Sequence, residues 1–381
     1  MLDYSVLKVI WWLLIGFVLM LYGTTAGYDL GITIILPFLK KESHKRLVLN
    51  MSGPTWDGNQ TWIVFAGGGL FVVWPAVYAL SFSGFYAAIL MILWPFFLRP
   101  LGYDYRNKID NHKWRFFWDW GLFISSFLPV IVFGVTFGNL LQGVPFYFDP
   151  KTMQEFYTGN FAGLMNPFGI LCGLVSSSMI VMHGAAWIAR RGRGDLQVLA
   201  RKIQFVLTWI TAMLFILAGW WLMTRVSGFT LLSQPAQPTL HPLDNVVTSS
   251  MGSWTAGYSV APWKYYPVVI AFSALFFSLL FNRLRKAHYA FWSSVLAVAG
   301  IIGTAGATLF PFLMPSSTNR AQSLTVWNAA SSQYALNVMF YVGGALLVII
   351  LCYKVFAFKA AWNGVDSIGE EDLEKNKHTF Y

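Results

Sequence analysis

The amino-acid sequence predicts an all-α polytopic membrane protein of nine transmembrane helices, arranged as two four-helix bundles plus one extra helix. Three observations predict it. Hydrophobic residues make up 56% of the 381 and charged residues 11%, where a soluble domain carries roughly a quarter charged. Apolar runs long enough to cross a bilayer core, which takes about 20 helical residues, recur along the whole chain. Lysine and arginine gather in alternate loops, as the positive-inside rule expects of a chain threaded back and forth through a membrane. The 18 tryptophans and 33 phenylalanines suit lipid contacts and membrane interfaces.

The elements follow in order. "VIWWLLIGFVLMLYGTTAGY" (9–28) is too long for a signal-peptide core and ends in no small-residue cleavage site, so it opens a first span near 8–39. The uncharged run 58–98 is too long for one crossing. Pro75 in "VVWPAVY" cannot continue a helical ladder, which divides the run into spans near 54–74 and 77–98 joined by a tight turn. Further spans are expected near 117–140, 162–189, 203–224, 263–282, 288–311 and 331–355. Residues 141–161 and 226–262 are longer loops without the periodicity of a folded extramembrane domain. The reading is one integral membrane domain over 1–381, with a first half to about 190, a second half over about 200–360 and a short tail over 360–381.

Charge orients the chain. Loops 40–46, 99–115, 189–202 and 282–286, with the C-terminal tail, carry 21 of the 26 basic residues; Lys8, Lys151, Arg225, Lys264 and Arg320 fall on the other side. The positive-inside rule then places the N-terminus outside and the C-terminus in the cytoplasm. The net charge of +10 therefore belongs to topology and not to a nucleic-acid partner. Cys172 and Cys352 lie in separate apolar stretches with no CxxC or CxxCH pattern, so neither thiol redox chemistry nor covalent haem attachment is indicated.

Ionisable residues at membrane depth carry the functional information, because burying one costs several kcal/mol unless it is paired or hydrated. Asp29 lies ten residues before the end of the first span, about 15 Å inside its cytoplasmic end. Gly23 and Gly27, at four-residue spacing, let another helix approach there. Asp57, in "GPTWDGNQTW" (53–62), falls in the first turn of the second span, where the helix dipole favours its ionised form. Asn59 and Gln60 supply the polar lining of a hydrated inlet. Asp104 lies in "RPLGYDYRNK" (99–108) with Arg99, Arg106 and Lys108 close by, and Asp119 is a further first-turn acid. Asp29, Asp57 and Asp104 together suggest a ladder of carboxylates from cytoplasm to bilayer interior, as a proton relay needs. Each also has a structural reading: a bonded core acid, an ordinary first-turn acid, a solvated salt bridge. Of six histidines only His183 sits well inside a span, which is one too few for a bis-histidine haem. "FGNLLQGVP" (137–145) and "FPFLMPSSTNRAQSLTVWNAASSQ" (310–333) are polar, proline-broken segments, tolerated at membrane depth only where buried in protein or lining a cavity. From the residues alone, a subunit of a proton-consuming complex and a secondary transporter with Asp29 as its ion site both stay open.

An ordered set of motifs carries a resemblance. "IWWLLIG" (10–16), "GYDLG" (27–31), "WDGNQ" (56–60), "FSGFY" (82–86), "RPLGYDYR" (99–106), "FGNLLQGVPF" (137–146), "TGNF" (158–161), "NPFGILCGL" (166–174), "FPFLMPSS" (310–317) and "HTFY" (378–381) make the chain similar to subunit II of the cytochrome bd-type quinol oxidases over its full length. The resemblance implies a subunit of an aerobic terminal oxidase in the bacterial cytoplasmic (inner) membrane. It implies a partner, subunit I, that holds the haems, two of type b plus one of type d or a third b. The complex would oxidise a membrane quinol near the outer face, reduce oxygen to water and build proton-motive force without pumping. Subunit II would carry no haem and no catalytic centre; a structural quinone and a small single-helix subunit also fit the family. Carried onto this chain, a cytoplasmic proton path would use Asp57, Asp104 and Lys108, with Asp29 behind them and Tyr381 at its mouth. Two departures stand out. Many relatives have an acid where this chain has Ala26, which leaves Asp29 to act alone in span one. Many have "WDA" where this chain reads Trp327-Asn328-Ala329, which removes an outer carboxylate.

Overall fold

The structure is a computed structural model in which residues 2–233, 245–361 and 367–375 are described. The first helix, α1 (Tyr4–Ile35), starts where the Asp3 side chain accepts the backbone N–H groups of Ser5 and Val6, two of the donors that a helix start leaves unpaired. A short amphipathic α2 (Glu42–Ser52) follows. The expected second span, near 54–74, is divided into α3 (Trp56–Asn59) and α4 (Thr61–Val73), and α5 (Pro75–Gly84) stands where the expected third span begins. Trp74, forced out of helical geometry by the proline after it, has φ −133° and ψ 71°. The link from α4 to α6 (Tyr86–Tyr105) is therefore a ten-residue helix and not the tight turn expected at Pro75. At 1.5 Å per residue α4 alone is about 20 Å long, short of a bilayer core. Eight helices among the described residues are long and apolar enough to cross a membrane.

The chain continues through α7 (His112–Gln142), a hairpin of β1 (Phe146–Phe148) and β2 (Glu155–Tyr157), α8 (Phe161–Leu164) and α9 (Pro167–Arg191). Asn166 caps α9 and proline takes its first position, as the missing proline N–H allows. Next come α10 (Gly194–Arg225), a hairpin of β3 (Ser227–Ser233) and β4 (Val246–Met251), α11 (Ser253–Val260), α12 (Tyr265–Arg283) and α13 (Ala287–Leu309). A third pair, β5 (Phe312–Met314) and β6 (Leu324–Thr325), precedes α14 (Gln333–Ala361) and α15 (Glu370–Lys375).

Packing centres on α9. Its most apolar stretch is 72% buried, against 17% in α10 and in α14, and it touches α1, α7, α10 and α13. Helices α9, α10, α12 and α13 close a four-helix ring, and α1 and α7 join it to the first half. α14 lies against α1 and α4. The outward sides of α10, α12 and α14 are apolar, with Met213, Ile216, Trp220, Phe276, Ile349 and Phe356 exposed, as lipid contact requires.

The two ends of the bundle differ. At one end, called here the hairpin end, the two polar segments singled out in the sequence bond to each other. Val144 N–H donates to Pro315 at 2.8 Å, and the Gln322 amide clamps Phe148 through both its backbone groups, at 2.7 and 2.9 Å. Where they meet, at Val144 and at residues 314–316, they are buried in protein, while residues 317–320 are exposed. The opposite, basic end gathers the lysine- and arginine-rich loops. Arg106 is fully buried and bonds Asp119 at 2.6 Å and Glu42 at 2.8 and 3.1 Å, while Lys45 reaches Asp119 at 2.7 Å. Asp119 is therefore a buried ion-pair partner in the third turn of α7 and not an ordinary first-turn acid; α7 begins at His112.

Burial alone would raise the Glu42 carboxyl, but hydrogen bonds and charge from Arg106, with Arg115 and Lys45, hold it below the usual carboxylate range. A depressed carboxyl stabilises the fold fully above its unfolded value of about 4.3 and loses that contribution as pH falls through the lower folded value. The melting temperature of the solubilised protein is accordingly expected to fall on acidification below pH 4.5, and less steeply in Glu42→Gln. Parallel curves for the two proteins would remove Glu42 from the account.

Candidate functional site

A buried polar cluster forms where α1, α3, α6, α7 and α14 meet. Asp29 of α1 is fully buried, and Asn59 of α3 donates to its Oδ2 at 2.5 Å. The same amide accepts from Lys354 Nζ of α14 at 3.0 Å through its oxygen. Asn59 also reaches the Thr25 carbonyl at 3.1 Å and the Tyr28 hydroxyl at 3.3 Å, and Tyr28 shares a 2.7 Å bond with Thr55. Asp29 Oδ1 is buried and makes no hydrogen bond of ordinary geometry among the described residues, with the Thr55 side chain near the carboxyl group.

Arg99 supplies the second cation. It is fully buried and donates to Ser126 at 2.7 Å, and Ser126 in turn bonds Thr33 at 2.6 Å. Its guanidinium stands 5.6 Å from the Trp56 ring and 5.9 Å from the Tyr103 ring, which stack on each other at 5.1 Å. Arg99 Nε and Nη2 make no hydrogen bond among the described residues. Asp29 feels the charges of both Arg99 and Lys354. Two cations thus act on one buried carboxyl group.

The candidate residues separate. Asp57 is exposed in the first turn of α3, two residues from Asn59, and its charge reaches Lys354. Asp104 and Lys108 are exposed at the basic end. Asp104 makes no side-chain hydrogen bond or ion pair among the described residues, and Lys108 Nζ lies 5.2 Å from the Tyr105 ring. Asp57 therefore stands next in the chain but one to the Asn59 that bonds Asp29, while Asp104 makes no bond to that cluster among the described residues. Tyr381 lies outside the described residues. Lys354, counted with the tail in the sequence, is buried within α14. Its signal was a lone lysine between apolar stretches in "LCYKVFAF". Arg99 and Arg106, read as part of a solvated loop, are both buried because α6 runs on to Tyr105.

His183, the histidine placed well inside a span, has both ring nitrogens engaged, with Ser294 and the Thr24 carbonyl, each at 2.8 Å. His112 and His288 are exposed, and His44 lies beside Glu370 at 3.4 Å.

The profile of the family described as cytochrome bd terminal oxidase subunit II matches residues 7–361. The chain belongs to that family. It is 43% identical to the cytochrome bd-I ubiquinol oxidase subunit 2 of Escherichia coli strain K12, with all of both chains covered. It is 41% identical to a probable cytochrome oxidase subunit 2 of Haemophilus influenzae, again over both full lengths. A subunit 2 of the Bacillus subtilis cytochrome bd ubiquinol oxidase is 27% identical over 92% of this chain and 94% of its own. The fold is also that of a chain in the bd oxidase structure from Geobacillus thermodenitrificans, with a TM-score of 0.65 at 12% identity, covering 93% of this chain and 98% of that one. A bd-family subunit with its buried acid between two cations gives the Asp29 cluster its context.

Proposed function

We propose that this chain is the haem-free subunit of a bd-type quinol oxidase and that it carries protons from the cytoplasm toward the oxygen site of a haem-bearing subunit I. The ubiquinol named for the E. coli and B. subtilis relatives makes a membrane quinol the electron donor. The observation that carries the reading is Asp57: an exposed carboxylate on α3, adjoining the buried Asp29–Asn59–Lys354 chain. Protons reaching a low-dielectric site need successive titratable groups or waters. In this reading Asp104 and Lys108 collect protons at the basic end, and Asp57 receives them through water at the chain's surface. Asp29 stands behind it, and Tyr381 contributes at the mouth. The basic end is then the cytoplasmic side, with the N-terminus outside, α3–α4 is the ninth crossing, and α14 joins two four-helix halves within one membrane domain.

The partner brings the haems, two b-type and a third of type d or b; a structural quinone and a small single-helix subunit are compatible additions. Chemistry at oxygen is theirs, and this chain's residues only take up, hold and pass protons. A transporter with Asp29 as a cation site is disfavoured, because the charged groups acting on Asp29 are Arg99 and Lys354, both of which repel a bound cation. The test is affinity purification of the tagged chain from its native membrane. A haem-bearing partner and quinol-driven oxygen uptake are expected in the eluate, with haem d or its b replacement read from the visible spectrum. A stable, colourless chain purified alone would refute the proposal.

A further inference from the structure

We infer that Lys354 is a positioning residue for proton transfer, held by Asn59 between Asp57 and Asp29 so that its ammonium sets the charge balance of that pair. The inference rests on the proton-path reading above and adds to it a helix, α14, from the far end of the sequence.

The geometry is specific. Asn59 turns its oxygen to Lys354 at 3.0 Å and its amino group to Asp29 at 2.5 Å. The reverse orientation would set an amino group against an ammonium and an oxygen against a carboxylate, so the two charged neighbours fix the amide. A side chain at position 58 would obstruct the lysine: a Cβ on Gly58 would stand 3.3 Å from Nζ. Trp62 covers the other side, with its ring 6.0 Å from Nζ. Lys354 is only 8% exposed, and its neighbours Tyr353, Val355 and Phe356 are exposed apolar groups. A cation so placed costs several kcal/mol unless anions face it, and the anions that act on it are Asp29 and Asp57. Other titratable or charged groups around the cluster, among the described residues, include Tyr22 and Tyr28 on α1 and Arg99 and Tyr103 on α6.

The consequence is electrostatic. A proton relay through Asp57 must alternate that group between neutral and anionic forms. With Lys354 present, an anionic Asp57 has a cation whose charge it feels. Without it, that counter-charge is gone from the Asn59 bridge next to Asp57 in the chain, and passing a proton onward through Asp57 is slowed.

The test uses the purified oxidase complex, with oxygen uptake at saturating quinol and haem content from spectra. Lys354→Gln keeps a donor for Asn59 and removes the charge; turnover is expected to fall about ten-fold, the effect of one unit in proton affinity, at unchanged haem content. Lys354→Arg keeps the charge and is expected to retain most of the turnover. Parental turnover in Lys354→Gln, or equal slowing in Lys354→Arg, overturns the inference. So does loss of haem in Lys354→Gln and Lys354→Arg alike, which makes the residue structural. Asp57→Asn separates the two readings. Parental turnover there sinks the proton path itself, whereas slow Asp57→Asn beside unimpaired Lys354→Gln sinks only the role of Lys354.

Discussion

Asp57→Asn in the purified complex is expected to slow oxygen reduction by about 100-fold, the lower range for loss of a positioned proton-transfer group, while haem content and assembly stay intact. The separation follows from where the residue sits. Asp57 is exposed and makes no side-chain hydrogen bond among the described residues, so asparagine leaves no buried group unpaired, and surface changes of that kind shift stability by about 0.5 kcal/mol or less. Asparagine matches the carboxylate in shape but cannot take up and release a proton near neutral pH. Oxygen uptake at saturating quinol reads the proton-limited step, and the visible spectrum reads assembly. Turnover equal to the parent would make Asp57 an ordinary first-turn acid, stabilised by the α3 dipole. Loss of the haems along with turnover would make it an assembly residue. Asp104→Asn, placed apart from the cluster, is expected to slow turnover less, because a solvent-exposed collector can be bypassed by water.

The sequence showed the membrane class and most of the spans, because repeated uncharged runs of bilayer length are foreign to soluble domains. It marked Asp29 for a related reason, since a carboxylate in such a run is costly to bury. The helix ends were harder to read. Arg99 and Arg106 marked a loop on the assumption that charge ends a span, yet α6 continues through Pro100 and buries both. Their stability there depends on Ser126, Glu42 and Asp119, partners on other helices that no local pattern shows. Lys354 was hidden by the same assumption: a lysine near the end of a span ordinarily extends its stem to reach water. Its partner Asn59 lies 295 residues away in the chain, a pairing that only the tertiary structure could reveal. The break between the second and third spans had a local cause, proline after Trp74, but the length of the helix that follows did not.

Gly184→Val is expected to prevent accumulation of the folded chain, and with it of the oxidase. The spacing of Gly23 and Gly27 predicted a close helix approach, and the structure extends that spacing by one more step. A Cβ on Gly23 or Gly27 would meet the flexible tip of Ile302 or Ile180, whereas at Gly31 it would stand 2.2 Å from the Ile180 carbonyl oxygen. Across the contact, a Cβ on Gly184 would lie 2.5 Å from the Gly31 carbonyl carbon and 2.6 Å from the Ile32 nitrogen. Backbone cannot swing aside as a side chain can, so α1 and α9 would have to separate by about 1 Å to reach ordinary contact. That separation would strain the 2.8 Å bond from His183 to the Thr24 carbonyl and the 4.6 Å stack of Tyr28 on Trp187, both of which cross the same interface. Overpacking typically costs about 1–3 kcal/mol, and these losses add to it at the most enclosed helix of the fold, against a total stability of about 5–15 kcal/mol. Gly219→Ala on α10, where a Cβ meets nothing within 4 Å, is the control and should be neutral or slightly stabilising, as alanine is the better helix former. Membrane abundance and the thermal melt of the solubilised complex measure both. Normal yield and melting in Gly184→Val would mean that α1 and α9 are not in backbone contact, and the Asp29 cluster, which depends on the position of α1, would have to be placed again.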